Sequence, residues 1–176
     1  SNKVDVVVAA FSMNSERRKV VEFSDPYFRG GSTVIVNTKD PESANIKGIQ
    51  DLKGRKIAVA KGTLNDELAT ELAGSTNEIL RFDNVSDVCQ ALKEGKADAI
   101  LEDVILAGYT IKNQYPEMST VGDLLSVDAI GIGTRRGDQL LLNFLDGFVF
   151  DLLSSGRMAE ICDSYGVDYN PVNYEY

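Results

Sequence analysis

The sequence predicts an α/β protein, and three features of its pattern carry that prediction. A run of mostly β-branched residues, KVDVVVAA, opens the chain, and a second run, STVIVN, follows a proline and two glycines. Such continuously apolar runs are typical of strands buried on both faces of a sheet. From residue 40 onward, extended and helical patterns alternate, and 43% hydrophobic residues provide enough apolar surface for a core in a chain of 176.

The first helix is expected over residues 15–21. Asn14 or Ser15 can cap it, and Glu16 lies in the first turn, where an acidic side chain is favourable. The run STVIVN then forms the next long strand.

The middle of the chain alternates regularly between strands and helices. The predicted strands are KIAVA, EILRF and ADAILE, with helices over residues 65–72, 86–94 and 104–113. Strands separated by single helices imply right-handed crossovers and a mostly parallel sheet covered on both faces. This stretch is therefore predicted to form one compact lobe.

The last part of the chain adds the extended run VDAIGIGTRR and two helices, over residues 139–153 and 157–165. These helices have no strands of their own to cover. We therefore expect them to pack on the first strands, near residues 6–8 and 34–36.

Two chain crossings, at residues 36–39 and 130–134, then join two lobes. Lobe 1 is predicted to comprise residues 1–38 and 131–176, and lobe 2 residues 39–130.

Composition and charge exclude several classes of function. The 27 acidic and 18 basic residues give a net charge of −9, which disfavours nucleic acid and anionic membrane surfaces as partners. The chain contains no histidine, so the Ser-His-Asp and Cys-His arrangements are excluded. Cys89 and Cys162 lie outside any CxxC pair and are expected to be ordinary buried thiols. We expect no metal and no cofactor.

Several stretches of the sequence together resemble one known family. They are KVDVVVAAFSMNSERRKVVEFSDPYF, IQDLKGRKIAVAKGT, LKEGKADAILED, GIGTRRGD and LLSSGRMAEICDSYG, and they span essentially the whole chain. They resemble the periplasmic or extracellular solute-binding proteins of polar amino-acid ABC transporters (family 3), which include lysine/arginine/ornithine, histidine and glutamine binders. The resemblance implies a two-lobed periplasmic-binding-protein-like fold (type II). Family members carry a strand, helix, strand and helix before the opening strand, so lobe 1 is expected to be truncated at its amino terminus.

The resemblance also implies a ligand site. A free amino acid needs aligned cationic donors for its carboxylate and an acidic group for its ammonium. Arg17 falls on the family's carboxylate-binding arginine, and its planar guanidinium suits that task. By the same resemblance Ala10 contributes backbone contacts, Phe11 a pocket wall, and Ser12 a backbone N–H or hydroxyl. From the residues alone, Arg17 could instead be a solvated helix residue paired with Glu16 or Glu22, and Ala10 to Ser12 ordinary strand-to-helix packing.

In lobe 2, the resemblance makes Thr63 and the backbone of Leu64 the second half of the carboxylate site, and Asp103 the acceptor of the ammonium. Structural alternatives stand beside both roles. Thr63 follows Gly62 in a turn and can simply cap a helix, and Asp103 can be the N-cap of the helix that follows it. Capping and ligand binding by Asp103 can hold together. Glu102 is expected to point to the opposite face, because side chains alternate along a strand.

The implied function is capture of a free amino acid in the cleft between two lobes, as the substrate-binding component of an ABC transporter. A membrane permease is then a partner, and the location is periplasmic or extracellular, with membrane anchoring of the full-length protein left open. One alternative is the ligand-sensing domain of a receptor or kinase. Another is an enzyme like the cyclohexadienyl and arogenate dehydratases, for which Glu102 or Asp103 would have to supply the acid. We expect a binder and not an enzyme.

The truncation expected for lobe 1 implies self-association. The opening strand is apolar on both faces and needs strands alongside it. An exposed hydrophobic sheet edge recruits other chains, so a homodimer through lobe 1 is expected.

Overall fold

The computed structural model describes residues 4–73, 76–167 and 169. Its strands, in chain order, are β1 (Val6–Val7), β2 (Glu22–Phe23), β3 (Phe28–Gly30), β4 (Ser32–Asn37), β5 (Lys56–Ala60), β6 (Glu78–Phe82), β7 (Ala99–Asp103), β8 (Met118–Val121), β9 (Asp128–Ile130) and β10 (Gly133–Thr134). Its helices are α1 (Ser15–Arg18), α2 (Pro41–Ala44), α3 (Leu64–Ala73), α4 (Val85–Lys93), α5 (Val104–Asn113), α6 (Gln139–Ser154) and α7 (Arg157–Tyr165), with a 3-10 helix at Ile49–Leu52.

The chain divides into two units. Unit 1 comprises Ser1–Gly30 and Val127–Tyr176, and unit 2 comprises Gly31–Ser126. The units change at residues 30 and 126, whereas the predicted lobes change at residues 38 and 130. The first difference arises because the strand of residues 32–37 pairs within the sheet of unit 2.

Unit 2 contains a five-stranded sheet of order β6-β5-β7-β4-β8. The predicted alternation of strands and helices is confirmed here, and β5 is parallel to both β6 and β7. The sheet as a whole is mixed, because β4 is antiparallel to β7 and to β8. The expectation of a mostly parallel sheet therefore holds for three neighbouring strands only.

Strand β4 corrects one prediction. We expected STVIVN to serve lobe 1 beneath the last helices, but every residue of β4 is buried within the sheet of unit 2. Val34 and Val36 pack in one apolar cluster with Ile57, while Ile35 packs in another with Ile100. A strand that is apolar on both faces needs cover on both, and unit 2 supplies it, with α4 and α5 on one face and α3 on the other.

Unit 1 contains a three-stranded antiparallel sheet of order β1-β10-β2 and a separate antiparallel pair, β3 with β9. Leu145 and Val149 of helix α6 pack on Ile132, which lies in the short link between β9 and β10. The last helices were expected to pack on residues 6–8 and 34–36. That prediction is wrong for residues 34–36, which lie inside the sheet of unit 2.

The opening strand also differs from its prediction. The described strand β1 is two residues long and is an edge strand, paired with β10. Its valines are exposed, and the neighbouring Val8 is 62% exposed. The expectation of burial on both faces is therefore wrong for the described structure: β1 has a strand neighbour on one side only, and its exposed valines show that its faces are not fully covered.

Candidate functional site

In unit 1, the side chain of Arg17 lies against Phe11 and Ser12, two of the predicted ligand-binding residues. Its Nη1 donates a 2.9 Å hydrogen bond to the backbone oxygen of Ser12, and its Cζ lies 4.7 Å from the centroid of the Phe11 ring. Helix α1, which carries Arg17, is fixed by Asn14, whose Oδ1 accepts the Arg17 N–H at 2.7 Å. The neighbouring Glu16 forms its ion pair with Lys19. The guanidinium is thus held in place by an aromatic face and a carbonyl.

Local packing explains why Phe11 and Ser12 meet Arg17. Ser12 is buried and forms a β-bridge with Ile130. The Phe11 ring packs 4.9 Å from the ring of Phe23, measured between centroids. A Cβ at Gly133 would lie 2.8 Å from Phe11, so this strand position needs glycine for the ring to fit. These contacts within unit 1 therefore fix the positions of Phe11 and Ser12.

Ala10 has an uncommon backbone conformation, with φ at +47°. Residues with a Cβ rarely adopt this left-handed region, and such outliers often mark functional segments. The turn at Ala10 directs the chain from β1 into Phe11 and Ser12. Three of the four unit 1 candidates, Phe11, Ser12 and Arg17, are in mutual contact, and Ala10 adjoins them in the chain.

In unit 2, Thr63 caps helix α3. Its Oγ1 donates to the backbone oxygen of Ala60 at 2.8 Å and accepts the N–H of Asp66 at 3.2 Å. Gly62 has φ at +74°, the conformation for which the sequence pattern predicted a glycine. The Gly62 N–H donates to Asp66, and this bond, helped by Arg81, lowers the pKa of the Asp66 carboxyl. The cap role of Thr63 is confirmed, and Leu64 is the first residue of α3.

Asp103 ends strand β7 and caps helix α5. Its Oδ1 accepts the N–H of Ile105 at 2.8 Å, so the predicted N-cap role is confirmed. The next amide, of Val104, donates to the backbone oxygen of Gly31 at 2.9 Å, which anchors the strand end to the chain before β4. The carboxylate is half-buried.

Two buried polar residues at this edge were not predicted as site residues. Glu102 is 5% exposed, and its Oε1 accepts the N–H of Asp103 at 2.8 Å and lies 3.4 Å from the Nδ2 of Asn65. Burial raises the pKa of the Glu102 carboxyl to about 7; the Asp103 N–H opposes this shift and the Asp103 charge adds to it. Asn65 is 7% exposed, and its Oδ1 has no hydrogen-bond partner among the described residues.

Pairing in the sheet brings these unit 2 residues together. Strands β5 and β7 are adjacent and parallel, so their carboxyl ends lie at one edge, where ligands bind in open α/β sheets. The segment 63–65 follows β5, and Asp103 ends β7. The contact between Asn65 and Glu102 joins the two segments directly. Glu102 stood out in the sequence as a carboxylate beside Asp103 at the end of an apolar strand, but only the enzymatic alternative gave it a role, whereas Asn65 carried no such signal.

Other features of the described residues do not add to the site. A cavity of about 670 Å³ lies in unit 2, at the end of β4 marked by Asn37. Its lining includes Lys93 and Glu117. It contains none of the predicted site residues. Both cysteines are free and buried as predicted, and burial raises the pKa of the Cys89 thiol to about 11. Within the described ranges, no cluster of three potential ligand side chains could hold a metal ion.

Comparison with known proteins gives a consistent family. The family model for bacterial extracellular solute-binding proteins, family 3, matches residues 1–168. The chain is 30% identical over 160 residues to the ABC transporter glutamine-binding protein GlnH of Bacillus subtilis (strain 168), an alignment that covers 90% of this chain and 56% of that protein. The chain therefore spans little more than half the length of this relative.

Solved structures with the same fold include two ancestral proteins. An ancestral arginine-binding protein bound to arginine superposes with a TM-score of 0.81 at 32% identity, covering 93% of this chain and 72% of that one. An ancestral amino acid-binding protein, described as a precursor of cyclohexadienyl dehydratase, superposes with a TM-score of 0.83 at 28% identity, covering 94% and 70%. In the part of the chain that the structure describes, no helix is both long and apolar enough to span a membrane.

Proposed function

The chain belongs to the bacterial extracellular solute-binding proteins, family 3, and from this membership we propose that it recognises a free amino acid for an ABC transporter. The names of similar proteins support an amino acid as ligand: one relative is a glutamine-binding protein and one similar structure holds arginine. The observation that carries the proposal is the placement of Arg17, whose guanidinium is held against Phe11 and the Ser12 carbonyl.

Each predicted residue takes a chemical role in this proposal. Arg17 binds the ligand carboxylate through its planar fork, with Phe11 as a wall and Ala10 and Ser12 supplying backbone or hydroxyl contacts. In unit 2, Asp103 accepts the ligand ammonium.

Thr63 and the backbone of Leu64 complete the carboxylate site. The Thr63 hydroxyl already makes two hydrogen bonds in its cap. We therefore expect the backbone amides of this segment, and not the hydroxyl, to contact the ligand carboxylate.

A thermal-shift screen of the twenty amino acids, ornithine and citrulline tests the proposed function. A ligand that binds the folded state at 100 times its Kd adds about 2.7 kcal/mol to the free energy of unfolding, which raises the melting temperature measurably. The proposal expects at least one amino acid to do so. A melting temperature unchanged by every compound at millimolar concentration would contradict it.

We expect Arg17→Lys to weaken amino-acid binding by about tenfold or more, because lysine cannot donate two parallel hydrogen bonds to a carboxylate. The matched control is Arg18→Lys, on the same helix, where the parent guanidinium lies against Phe23 and is exposed. Isothermal titration calorimetry with L-arginine and L-glutamine measures both variants. Binding by Arg17→Lys within twofold of the parent would remove Arg17 from the site.

Binding without catalysis is the proposed activity. The relative and both structures described above are named as binding proteins, and one of them is an amino acid-binding precursor of a dehydratase. Incubation with prephenate or arogenate tests the enzymatic alternative, and formation of aromatic product would favour it. The sensor alternative shares this recognition chemistry and differs in what the full-length protein carries besides this chain.

The proposed setting follows from the family, which is described as extracellular. We place the protein in the periplasm or outside the cell, with a membrane permease as its partner.

We also propose that the chain self-associates through unit 1. Strand β1 is an edge strand with exposed valines, and α6 exposes Leu140 and Phe144, one turn apart on the same helical face, at 86% and 70%. Two identical edge strands can pair about a twofold axis, which makes a second copy a self-complementary partner.

Light scattering after size-exclusion chromatography is expected to give a dimer at micromolar concentration. A lysine at the edge, Val6→Lys, is expected to shift the parent toward monomer, because its charge opposes strand pairing. Val20→Lys, at an exposed valine outside the strand, is the control and should leave the mass unchanged. A monomeric parent would contradict the proposal.

A further inference from the structure

Glu102 joins the two segments of unit 2 to which the proposed function gives ligand contacts. Its Oε1 accepts the backbone N–H of Asp103 at 2.8 Å, at the end of β7. The same oxygen lies 3.4 Å from the Nδ2 of Asn65, in the first turn of α3 and directly after Leu64. Glu102 is buried, so these bonds are made away from solvent. The carboxyl group therefore bridges two chain segments that are far apart in sequence.

We propose that Glu102 is a positioning residue that holds these two segments together, and that binding of a proton to it lowers the affinity for the amino acid. The inference rests on the proposed function, because Asp103 is assumed to receive the ligand ammonium. Glu102 itself need not touch the ligand. It acts through the backbone of Asp103 and through the orientation of Asn65.

The surroundings of Glu102 favour uptake of a proton. Burial raises its pKa to about 7, and the charge of Asp103 adds to the shift while the Asp103 N–H opposes it. From α4, the Cys89 thiol also interacts with Glu102; its pKa is raised chiefly by burial and further by the Glu102 charge. From α3 the facing group is the neutral amide of Asn65. The named neighbours bring no cation, so nothing among them compensates the buried charge.

The two protonation states of Glu102 favour opposite orientations of the Asn65 amide. The carboxylate accepts from Nδ2, which leaves the buried Oδ1 without a partner. The neutral acid has an O–H to donate, and a half-turn of the Asn65 amide would present Oδ1 to it. A buried unpaired acceptor is costly, so protonation stabilises the turned amide. The proton thus changes the orientation of the side chain that directly follows Leu64.

The sign of the effect on binding follows from charge. The ionised carboxylate of Glu102 stands next to Asp103 in the chain and adds negative potential where the ammonium is proposed to bind. Protonation removes that charge, so the affinity should fall as the pH drops through about 7. By reciprocity, ligand binding should release a proton from Glu102. The chain has no histidine, so no imidazole titrates in the same interval.

Calorimetric titration with L-arginine and with L-glutamine at a series of pH values tests the affinity. For the parent we expect affinity to rise about threefold to tenfold between pH 6 and pH 8, a range typical of a charge a few ångströms from a partly screened ligand. Glu102→Gln keeps an acceptor for the Asp103 N–H and gains a donor for Asn65, but binds no proton. We expect its affinity to match that of the parent at low pH and to stay flat.

Glu71→Gln is the matched control, since Glu71 is exposed on α3 and its change alters the net charge equally. Its pH profile should follow the parent. A flat parent profile with measurable binding, or a retained slope in Glu102→Gln, would overturn the proposal.

A second measurement does not depend on ligand. The carbon-13 chemical shift of the Glu102 carboxyl in the parent should titrate with a midpoint near 7, and a midpoint near the ordinary glutamate value would overturn the proposal. If neither amino acid binds at any pH, the proposed function is wrong, and so is the predicted effect of Glu102 protonation on affinity. The carboxyl titration then still decides whether Glu102 binds the proton, so the two failures are distinguishable.

Discussion

Replacing Asp103 with asparagine is expected to weaken amino-acid binding by about 10- to 150-fold. A hydrogen bond to a charged partner contributes about 1.5 to 3 kcal/mol, and the neutral amide keeps its place but loses that charge. Asparagine is also a good N-cap, so the bond from Ile105 that begins α5 should survive. The variant therefore separates ligand recognition from helix capping, which the parent carboxylate combines.

Isothermal titration calorimetry with L-arginine and L-glutamine measures this loss. Asp123→Asn, at an exposed aspartate of the same unit, is the control for the change in net charge and should bind as the parent does. Melting temperatures of both variants should stay close to that of the parent. Unchanged affinity in Asp103→Asn would show that this carboxylate is a cap and nothing more.

Between pH 5 and pH 8, the free energy of unfolding of the parent is expected to fall by about 2 to 3 kcal/mol more than that of Glu102→Gln. The pKa of Glu102 is raised from 4.5 to about 7 in the folded chain, so the folded state binds more protons than the unfolded one between those values. Its favourable contribution is complete below the unfolded pKa and is lost as the pH rises through the folded pKa. Glutamine does not titrate, so the residue in Glu102→Gln contributes equally to stability at pH 5 and pH 8.

Urea unfolding followed by circular dichroism at pH 5 and pH 8 gives the difference. Subtracting the free energy of unfolding of the variant from that of the parent removes the contributions of the other carboxylates, which titrate alike in both proteins. Glu71→Gln should show no such pH-dependent difference, because Glu71 is exposed. Parallel stability curves for the parent and Glu102→Gln would mean that Glu102 is ionised in the folded protein across this range.

Local patterns predicted local structure well. The runs KIAVA, EILRF and ADAILE became β5, β6 and most of β7, because each is rich in apolar residues and is followed by a capped helix. The caps of Thr63 and Asp103 were predictable for the same reason, since a cap is a matter of neighbouring residues.

Pairing between distant segments was not predictable. The pattern of STVIVN indicated burial on both faces, but not that Ser32 would pair with Asp103 in unit 2. The same apolar pattern at residues 4–10 wrongly predicted burial, because an edge strand and a central strand can have similar residue patterns.

The candidate site shows the same limit. Arg17 and Asp103 were chosen by family resemblance, which transfers chemistry residue by residue. The bond between Asn65 and Glu102 joins residues 37 positions apart, and it depends on β5 lying beside β7. Nothing in either local sequence specifies that neighbour, so this buried pair emerged from the structure alone.

Recognition of both charged groups of a free amino acid can be tested with pairs of ligands that differ in one of those groups. Calorimetry would compare L-arginine with agmatine, which lacks the carboxylate, and L-glutamine with glutaramic acid, which lacks the ammonium. We expect at least one of the amino acids to bind, and its counterpart to bind about tenfold more weakly or worse, because Arg17 or Asp103 loses its partner. Failure of both amino acids to bind at millimolar concentration, or equal affinity within the pair that binds, would mean that the protein does not recognise both groups.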